Sequence, residues 1–306
     1  MKTTCLINNY NYSKYVTEAI ESALNQKTAF DEIIVVDDGS TDNSAEIIKA
    51  RFGTNKKISL ISKPNQGQLS SFNTGFNASS GDIIFFLDSD DIFEPDYLHE
   101  CISYYKHHPK CDFLYTSVTT FGNETRHLRP FTKSKELGFS AIITLFTKKW
   151  LGQPTSAISI RRSILQKFLP MPDDCLKNWR VRADDCLVWG ASLAGAYKCY
   201  CDLPLVLYRI HDNNNFNRKK HDYHTRINRV IAVNSLFEHF ENKFKFNNKD
   251  DFYKLVKAEF NTIPNPTLKD LYSYINIVGG FRIPLGKKLE TIGSMTKTLF
   301  RTYKST

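Results

Sequence analysis

The sequence predicts an α/β protein: a mostly parallel sheet flanked by helices, followed by a helical C-terminal region. Three observations carry this expectation. Short unbroken apolar runs, such as IIVV (33–36) and IIFFL (83–87), alternate with segments of helical periodicity over the first 110 residues. Two of these runs end directly in acids, Asp37-Asp38 and Asp88-Ser89-Asp90-Asp91. From Tyr223 onward the pattern is helical only. Strands covered on both faces read as continuous apolar runs, which is the pattern of a parallel sheet between helical layers. In such sheets ligands gather beyond the carboxyl ends of the strands, so both acidic clusters are expected on one edge.

Taken in order, TTCLINN (3–9) reads as a strand, and VTEAIESALNQ (16–26) as a helix with Ile20, Ala23 and Leu24 on one face. EIIVVDD (32–38) is a strand, SAEIIKARF (44–52) a helix and KISLIS (57–62) a strand. QLSSFNTGFNASS (68–80) is a helix ended by Gly81, and IIFFLD (83–88) a strand. EPDYLHECISYYKHH (94–108) is a helix with Pro95 near its start, where the missing N–H costs nothing. Strands are expected at 111–121, 156–160, 197–202 and 204–211, with a helix over roughly 184–193. Beyond Tyr223, residues Ile227, Val230, Ile231, Asn234 and Phe237 fall at helical spacing. A boundary near 215 divides a sheet domain, 1–215, from a helical region, 216–306.

The 306 residues are ample for a proper core. No apolar run approaches the ~20 residues that cross a bilayer. The opening MKTTCLINNYNYSKY lacks the apolar stretch of a secretion signal, so a cytoplasmic location is expected. Seven cysteines without a CxxC pair fit reduced thiols. Cys199 and Cys201, two apart in a strand, read as core thiols rather than a metal pair. The charge is uneven: residues 1–200 carry 23 Lys and Arg against 22 Asp and Glu, and residues 201–306 carry 18 against 10. That basic excess is either a solvated surface or an attraction to an anionic membrane face. The helices beyond 215 are expected to pack on the sheet domain, to dimerise or to rest on a membrane; FRIPLGKKLETIGSMTKTLFRTYK (281–304) aligns Ile292, Met295, Leu299 and Tyr303, a modest apolar face for peripheral membrane contact. No base-stacking or groove-reading motif is present, so nucleic acid is not an expected partner.

The acids suggest chemistry. Neighbouring carboxylates are costly to ionise together unless a cation joins them. Mg²⁺ or Mn²⁺ takes hard oxygen ligands and completes its shell with phosphates and water. D-x-D at a strand end therefore suits a metal–diphosphate site; the plain alternative is an acidic turn. VVDDGSTDNS (35–44) offers a tight turn at Gly39 and helix caps at Ser40, Thr41 and Asp42. Asp184 and Asp185 open a helix, where they act as caps or as a general base. His211 follows a strand and reads as a metal or phosphate ligand or as a packing residue.

In combination, the strings YNYSKYVTEAIESALNQ, IIVVDDGSTDNS, NQGQLSSFNTGFNASSGDIIFFLDSDD, RADDCLVWGASLAG and PLVLYRIHDNN resemble glycosyltransferase family 2 over roughly residues 3–215. The resemblance implies an inverting, nucleotide-sugar-dependent enzyme on a GT-A type, Rossmann-like sheet, assisted by Mn²⁺ or Mg²⁺. It implies that Asn8, Asn9 and Tyr10 lie along the nucleotide and that Asp38 reads a uracil-type base. Gln66, in the NQGQ segment, joins the nucleotide-sugar contacts. Asp88-Ser89-Asp90 takes the DxD position, with Asp90 the main metal ligand, Asp88 on ribose or metal, and Asp91 supporting them. Asp184-Asp185 takes the place of an acidic pair whose second member, Asp185, is the base. His211 falls near diphosphate and metal. The chain departs from the family pattern at Asn8-Asn9, where Pro-Thr is common, at Asp184 in place of Glu, and at Phe72, where many members have Arg.

The expected donor is a UDP-sugar and the expected acceptor a glycan or lipid-linked glycan. Two other classes remain: a different metal-dependent phosphate enzyme, and a non-catalytic sugar-binding protein. An aspartyl phosphatase wants acids near the first strand, and CLINNYN has none.

Overall fold

The computed structural model describes residues 1–211, 222–246 and 249–304. Its first half follows the expected alternation: β1 (Thr3–Asn9), α1 (Val16–Leu24), β2 (Glu32–Asp37), α2 (Ser44–Phe52), β3 (Ile58–Ser62), α3 (Gln68–Ala78), β4 (Ile83–Asp88), β5 (Ile92–Phe93) and α4 (Tyr97–His107). Then come β6 (Phe113–Gly122), β7 (His127–Leu128), β8 (Lys135–Gly138), α5 (Ala141–Thr147), β9 (Ile158–Arg161), α6 (Arg162–Leu165), α7 (Asp173–Asn178), α8 (Asp184–Leu193) and β10 (Lys198–Ile210). The C-terminal helices are α9 (Tyr223–Lys243), α10 (Tyr253–Phe260), α11 (Leu268–Gly280) and α12 (Leu285–Lys304).

The ten strands of the described residues form one sheet with the path β3-β2-β1-β4-β9-β6-β10-β5; β7 pairs with β6 and β8 with β10. β1 to β4 are parallel neighbours, as are β6 and β10. β9 runs antiparallel between β4 and β6. The sheet is thus mostly parallel, with an antiparallel strand at its centre. The two strands expected at 197–202 and 204–211 are one, β10, whose register shifts between Cys201 and Val206. Pro204 sits in that shift, where the ladder needs no N–H from it.

The apolar runs divide with period two. Leu6, Ile84 and Phe86 face one core, shared with Phe72, Leu187 and Trp189 of α3 and α8. Cys5, Ile7, Ile33, Val35, Phe85 and Leu87 face the other, under α1, α2 and α4. Alternate side chains of a strand point to opposite faces, so an unbroken apolar run feeds two cores at once. All seven cysteines are buried and unpaired, and Cys199 and Cys201 lie in the second core.

The boundary drawn near 215 does not isolate the C-terminal region. Ala232, Leu236, Phe237 and Phe240 of α9 complete the first core, against Phe168 and Trp189. α10 to α12 build a third core with Ile142 and Ile143 of α5. Met295 and Leu299 are 0% and 1% exposed there, and Ile292 packs against the same cluster. The stripe expected to face a membrane is therefore an internal one, because α10 and α11 fold back over it. The Tyr303 side chain lies outside the described residues. No described helix is long and apolar enough to cross a membrane.

Glu259 of α10 fastens this layer to the sheet domain. Its buried carboxylate accepts from the N–H groups of Ile142 (2.7 Å) and Ile143 (2.9 Å) at the start of α5, and from Tyr274 Oη (2.8 Å). A carboxylate at a helix N-terminus satisfies donors that have no partner within the helix. Glu259→Ala is expected to lower the unfolding free energy by about 2–4 kcal/mol, since three buried donors lose an acceptor. Urea denaturation measures this; a loss below about 0.5 kcal/mol, the range of neutral surface changes, would mean the fastening is not made there.

Candidate active site

Parallel register brings the acidic strand ends together. Asn8 of β1 lies opposite Asp88 of β4, and Asn9 lies opposite Asp37 of β2. Asn9 Nδ2 donates to Asp37 Oδ1 (2.7 Å) and to Ser40 Oγ (3.1 Å), which fixes the turn after β2. Gly39 turns there at φ +69°, and a Cβ on it would come within 2.8 Å of the Asn65 nitrogen. The next turn is pinned by Asp38, which accepts from the Gln66 N–H (3.0 Å), the Gly67 N–H (2.7 Å) and the Lys63 ammonium. These strand ends floor a cleft of about 980 Å³, at the upper end of the range for small-molecule sites.

The DSDD turn supplies the acidic centre. Its backbone closes through the Asp91 N–H donating to Asp88 O (3.1 Å). Asp91 is buried beneath the turn, accepting from Ser156 Oγ (2.5 Å) and the Arg209 N–H (2.9 Å). Asp90 Oδ2 faces His211 Nε2 at 3.0 Å. Tyr12 and Tyr15 flank the His211 ring at 5.8 and 5.1 Å. Burial, and then the charge of Asp90, pushes the Asp88 carboxyl up to about 7. Asp91 is pushed well above the carboxylate range, first by burial and then by Asp90 and Asp88. Ser89 Oγ and Asn8 Oδ1 are buried without a hydrogen-bond partner among the described residues. No three His, Cys, Asp or Glu side chains among the described residues form a ready-made cation cage. The Asp90–His211 pair beside Asp88 is an incomplete donor set of the hard, oxygen-rich kind.

The start of α8 lines the same cleft. Asp185 is 2% exposed, and its Oδ2 takes both the Arg229 guanidinium of α9 and Arg182 Nε at 3.6 Å. Arg229 lies over the Trp179 ring at 4.3 Å. Its own pKa is lowered to about 10, by burial and then by Arg182. Asp184 is pushed up to about 6 by burial, against the pull of Arg182 and Arg229. Two adjacent carboxyls thus sit in different environments, one clamped by guanidinium groups and one with raised proton affinity.

Of the residues expected from sequence, Asn8, Asn9, Tyr10, Asp38, Asp88, Ser89, Asp90, Asp184 and Asp185 all line the cleft. His211 joins through Asp90. The DNNN that follows it lies outside the described residues. Gln66 does not line the cleft. Gly67, at φ +94°, turns the chain so that Gln66 Oε1 accepts from Ser70 Oγ instead (3.1 Å). Gln68 takes the position facing the strand ends: its Nε2 donates to Asp88 Oδ1 (2.9 Å) and its Oε1 accepts from the Ala183 N–H (2.9 Å). It ties the DSDD turn to the start of α8. The sequence reading also missed Arg209, whose Nε donates to Asp90 O (2.8 Å), and Arg229, which comes from beyond the expected boundary.

The fold and this edge define the class: a GT-A sheet carrying an acid-rich cleft beyond the carboxyl ends of its parallel strands. The family described as glycosyl transferase family 2 matches residues 4–169, more than half of the chain. The chain belongs to that family. An uncharacterized glycosyltransferase of Nostoc sp. is 34% identical over 218 residues, 70% of this chain and 66% of that protein. The chondroitin synthase of Pasteurella multocida is 40% identical over 93 residues, 30% of this chain and 10% of the synthase. The chain therefore spans just under two thirds of the first relative and a small part of the second. Among solved structures, TarS 1–349 of S. aureus in complex with UDP-GlcNAc matches all of this chain and 91% of its own, with a TM-score of 0.59 at 16% identity. At that identity the likeness shows the fold.

Proposed function

We propose that the protein is an inverting glycosyltransferase. It would move a sugar, of hexosyl or N-acetylhexosaminyl type, from a UDP-sugar to a hydroxyl of a glycan or lipid-linked glycan acceptor. The observation that carries this reading is the pairing of Asp90 with His211 beside Asp88, in one cleft with the Asp184-Asp185 pair. Family membership and a UDP-GlcNAc-bound neighbour of the same fold support the donor class.

Asp90 and His211, with Asp88, would hold Mn²⁺ or Mg²⁺ together with the donor's phosphates, which complete the donor set. When bound, the cation neutralises charge on the leaving diphosphate. Asn8, Asn9 and Tyr10 would lie along the nucleotide. Asp38, whose oxygens already hold the 63–67 turn, would keep an acceptor face toward the base. Asp185 would take the proton of the attacking hydroxyl as it adds to the sugar carbon opposite the diphosphate. A single displacement of that kind inverts the anomeric centre. A second reading rests on Asp184, whose proton affinity is raised by burial.

Calorimetry of UDP with and without Mn²⁺ tests the reading. UDP is expected to bind tightly only with the metal; equal affinity in EDTA would sink the proposed role of the acidic turn. The pH dependence has a definite sign. Asp88 and Asp184 move up from 3.8 to about 7 and about 6 on folding. The native chain therefore holds their protons more tightly, and metal-free stability declines as pH rises through that window. Mn²⁺ with UDP is expected to raise Tm more at pH 7.5 than at pH 5.5, and to release protons on binding near pH 6. A pH-independent Tm gain would rule out displacement of the Asp88 proton.

A further inference from the structure

A second cavity, of about 460 Å³, lies between the Pro130–Leu137 stretch, α5 and the N-terminal end of α11. Among the described residues, three lysines line it, the half-buried Lys135 and Lys149 and the exposed Lys269, with one acid, Asp270. Its lining side chains thus carry three positive charges against one negative. Asp270 is itself committed to the helix cap: its Oδ2 accepts from the Thr267 N–H (2.9 Å) and Thr267 Oγ1 (2.7 Å). The ammonium of Lys135 stands 3.5 Å from Asp270 Oδ2, and that of Lys149 stands 3.9 Å from Oδ1. Lys135 thus keeps a long hydrogen bond to this acid and Lys149 a longer ion pair, both beyond the ~2.7–2.9 Å of a tight ammonium–carboxylate contact. Both are half-buried, with side-chain exposures of 19% and 32%. The Lys149 ammonium is pushed down by burial, and Lys269 and Lys135 add to the effect although Asp270 opposes it. The positive end of the 13-residue α11 faces the same space.

We propose that this cavity is a second ligand site, for a small dianion of the phosphate class. Lysines act as point charges on an oxyanion, whereas a planar carboxylate is better matched by arginine. A dianion would balance the excess of two positive charges. The site lies apart from the cleft yet shares a segment with it: Lys149 and Leu151 line this cavity, and Trp150 and Gln153 line the cleft. Lys198 Nζ donates to Leu151 O (3.0 Å) and Val188 O (2.8 Å), so that segment is also held to α8. The proposal does not depend on the transfer chemistry.

The test is calorimetry on the full chain in EDTA, so that no cation recruits phosphate to the DSDD turn. Inorganic phosphate, inorganic pyrophosphate and a hexose 1-phosphate are titrated in turn. At least one is expected to bind at a single site with Kd of about 1 mM or below, weakening as salt rises. The K135M/K149M double variant is expected to lose at least about tenfold in affinity, while D270N, which removes the competing charge, gains about threefold or more. Tighter binding of the hexose phosphate marks an organic monoester as the natural occupant; tighter binding of the inorganic ions marks the free anion. No binding up to about 10 mM, or equal affinity in the wild type and the double variant, overturns the proposal. Thermal melts of both variants confirm that they fold, and D270N moves the affinity in the direction that damage would not.

Discussion

Asp90→Ala is expected to abolish metal-dependent UDP binding and to lower sugar transfer by about three orders of magnitude, on the order of 4 kcal/mol of transition-state stabilisation. Asp90 is the one acid of the DSDD turn whose carboxylate faces the imidazole of His211. Asp88 is partly engaged by Gln68, and Asp91 lies beneath the turn, bonded to Ser156 and Arg209. Removing Asp90 leaves His211 with only Asp88, which is itself engaged by Gln68, too few donors to hold Mg²⁺ or Mn²⁺ against water. It also relieves Asp88, since the Asp90 charge is part of what raises that pKa. The compensation is incomplete, because burial is the larger cause. Asp91→Ala makes the useful contrast: it is expected to lose stability before it loses chemistry, as the Ser156 hydroxyl and Arg209 amide are left without their acceptor. Transfer assays, UDP calorimetry with Mn²⁺ and thermal melts separate the two. A folded Asp90→Ala protein that still binds UDP in a metal-dependent way would remove the turn from the mechanism.

The parts of this site legible in the sequence are those fixed by strand geometry. Asp37 and Asp88 end apolar runs, and parallel register carries both to one edge; no tertiary detail was needed. Asp184-Asp185 was legible because a helix beginning with two acids marks its own N-terminus. What escaped notice was placed by contacts distant in sequence. Gln68 reaches Asp88 only because Gly67, at φ +94°, turns the chain against Arg180, whose Cα would lie 2.4 Å from a Cβ on residue 67. Arg229 comes from a helix with no strong apolar stripe, and its pairing with Asp185 spans 44 residues. β9 lies antiparallel between β4 and β6, although a short apolar run such as SAISI carries no mark of direction. The stripe at Ile292, Met295 and Leu299 has the periodicity of any amphipathic helix. Periodicity shows that a face is covered and not what covers it; here α10 and α11 do.

The second large effect falls on the acidic pair of α8. Asp185→Asn is expected to lower kcat about 10²–10⁴-fold, the range for loss of a general base, while UDP binding changes by less than about threefold. Both ion pairs of Asp185 fall on a single oxygen, Oδ2. Arg229 and Arg182 thereby fix the carboxylate's orientation. A base held this way is placed to take its proton as the hydroxyl attacks, when the acidity of that hydroxyl rises. Asp184 is the rival because burial lifts it to about 6, closer to a working pH. The rivals differ in their pH profiles. A base must be deprotonated, so transfer falls as pH drops through its pKa. If Asp185 is the base, Asp184→Asn keeps most of its turnover and still shows an acid limb, because the limb belongs to Asp185 and only the charge of Asp184 is gone. If Asp184 is the base, Asp184→Asn is the variant that collapses, and Asp185→Asn keeps the acid limb with a smaller loss, traceable to an unpaired Arg229. Equal collapse in both would mean that the pair acts as a unit, with the proton shared along the start of α8.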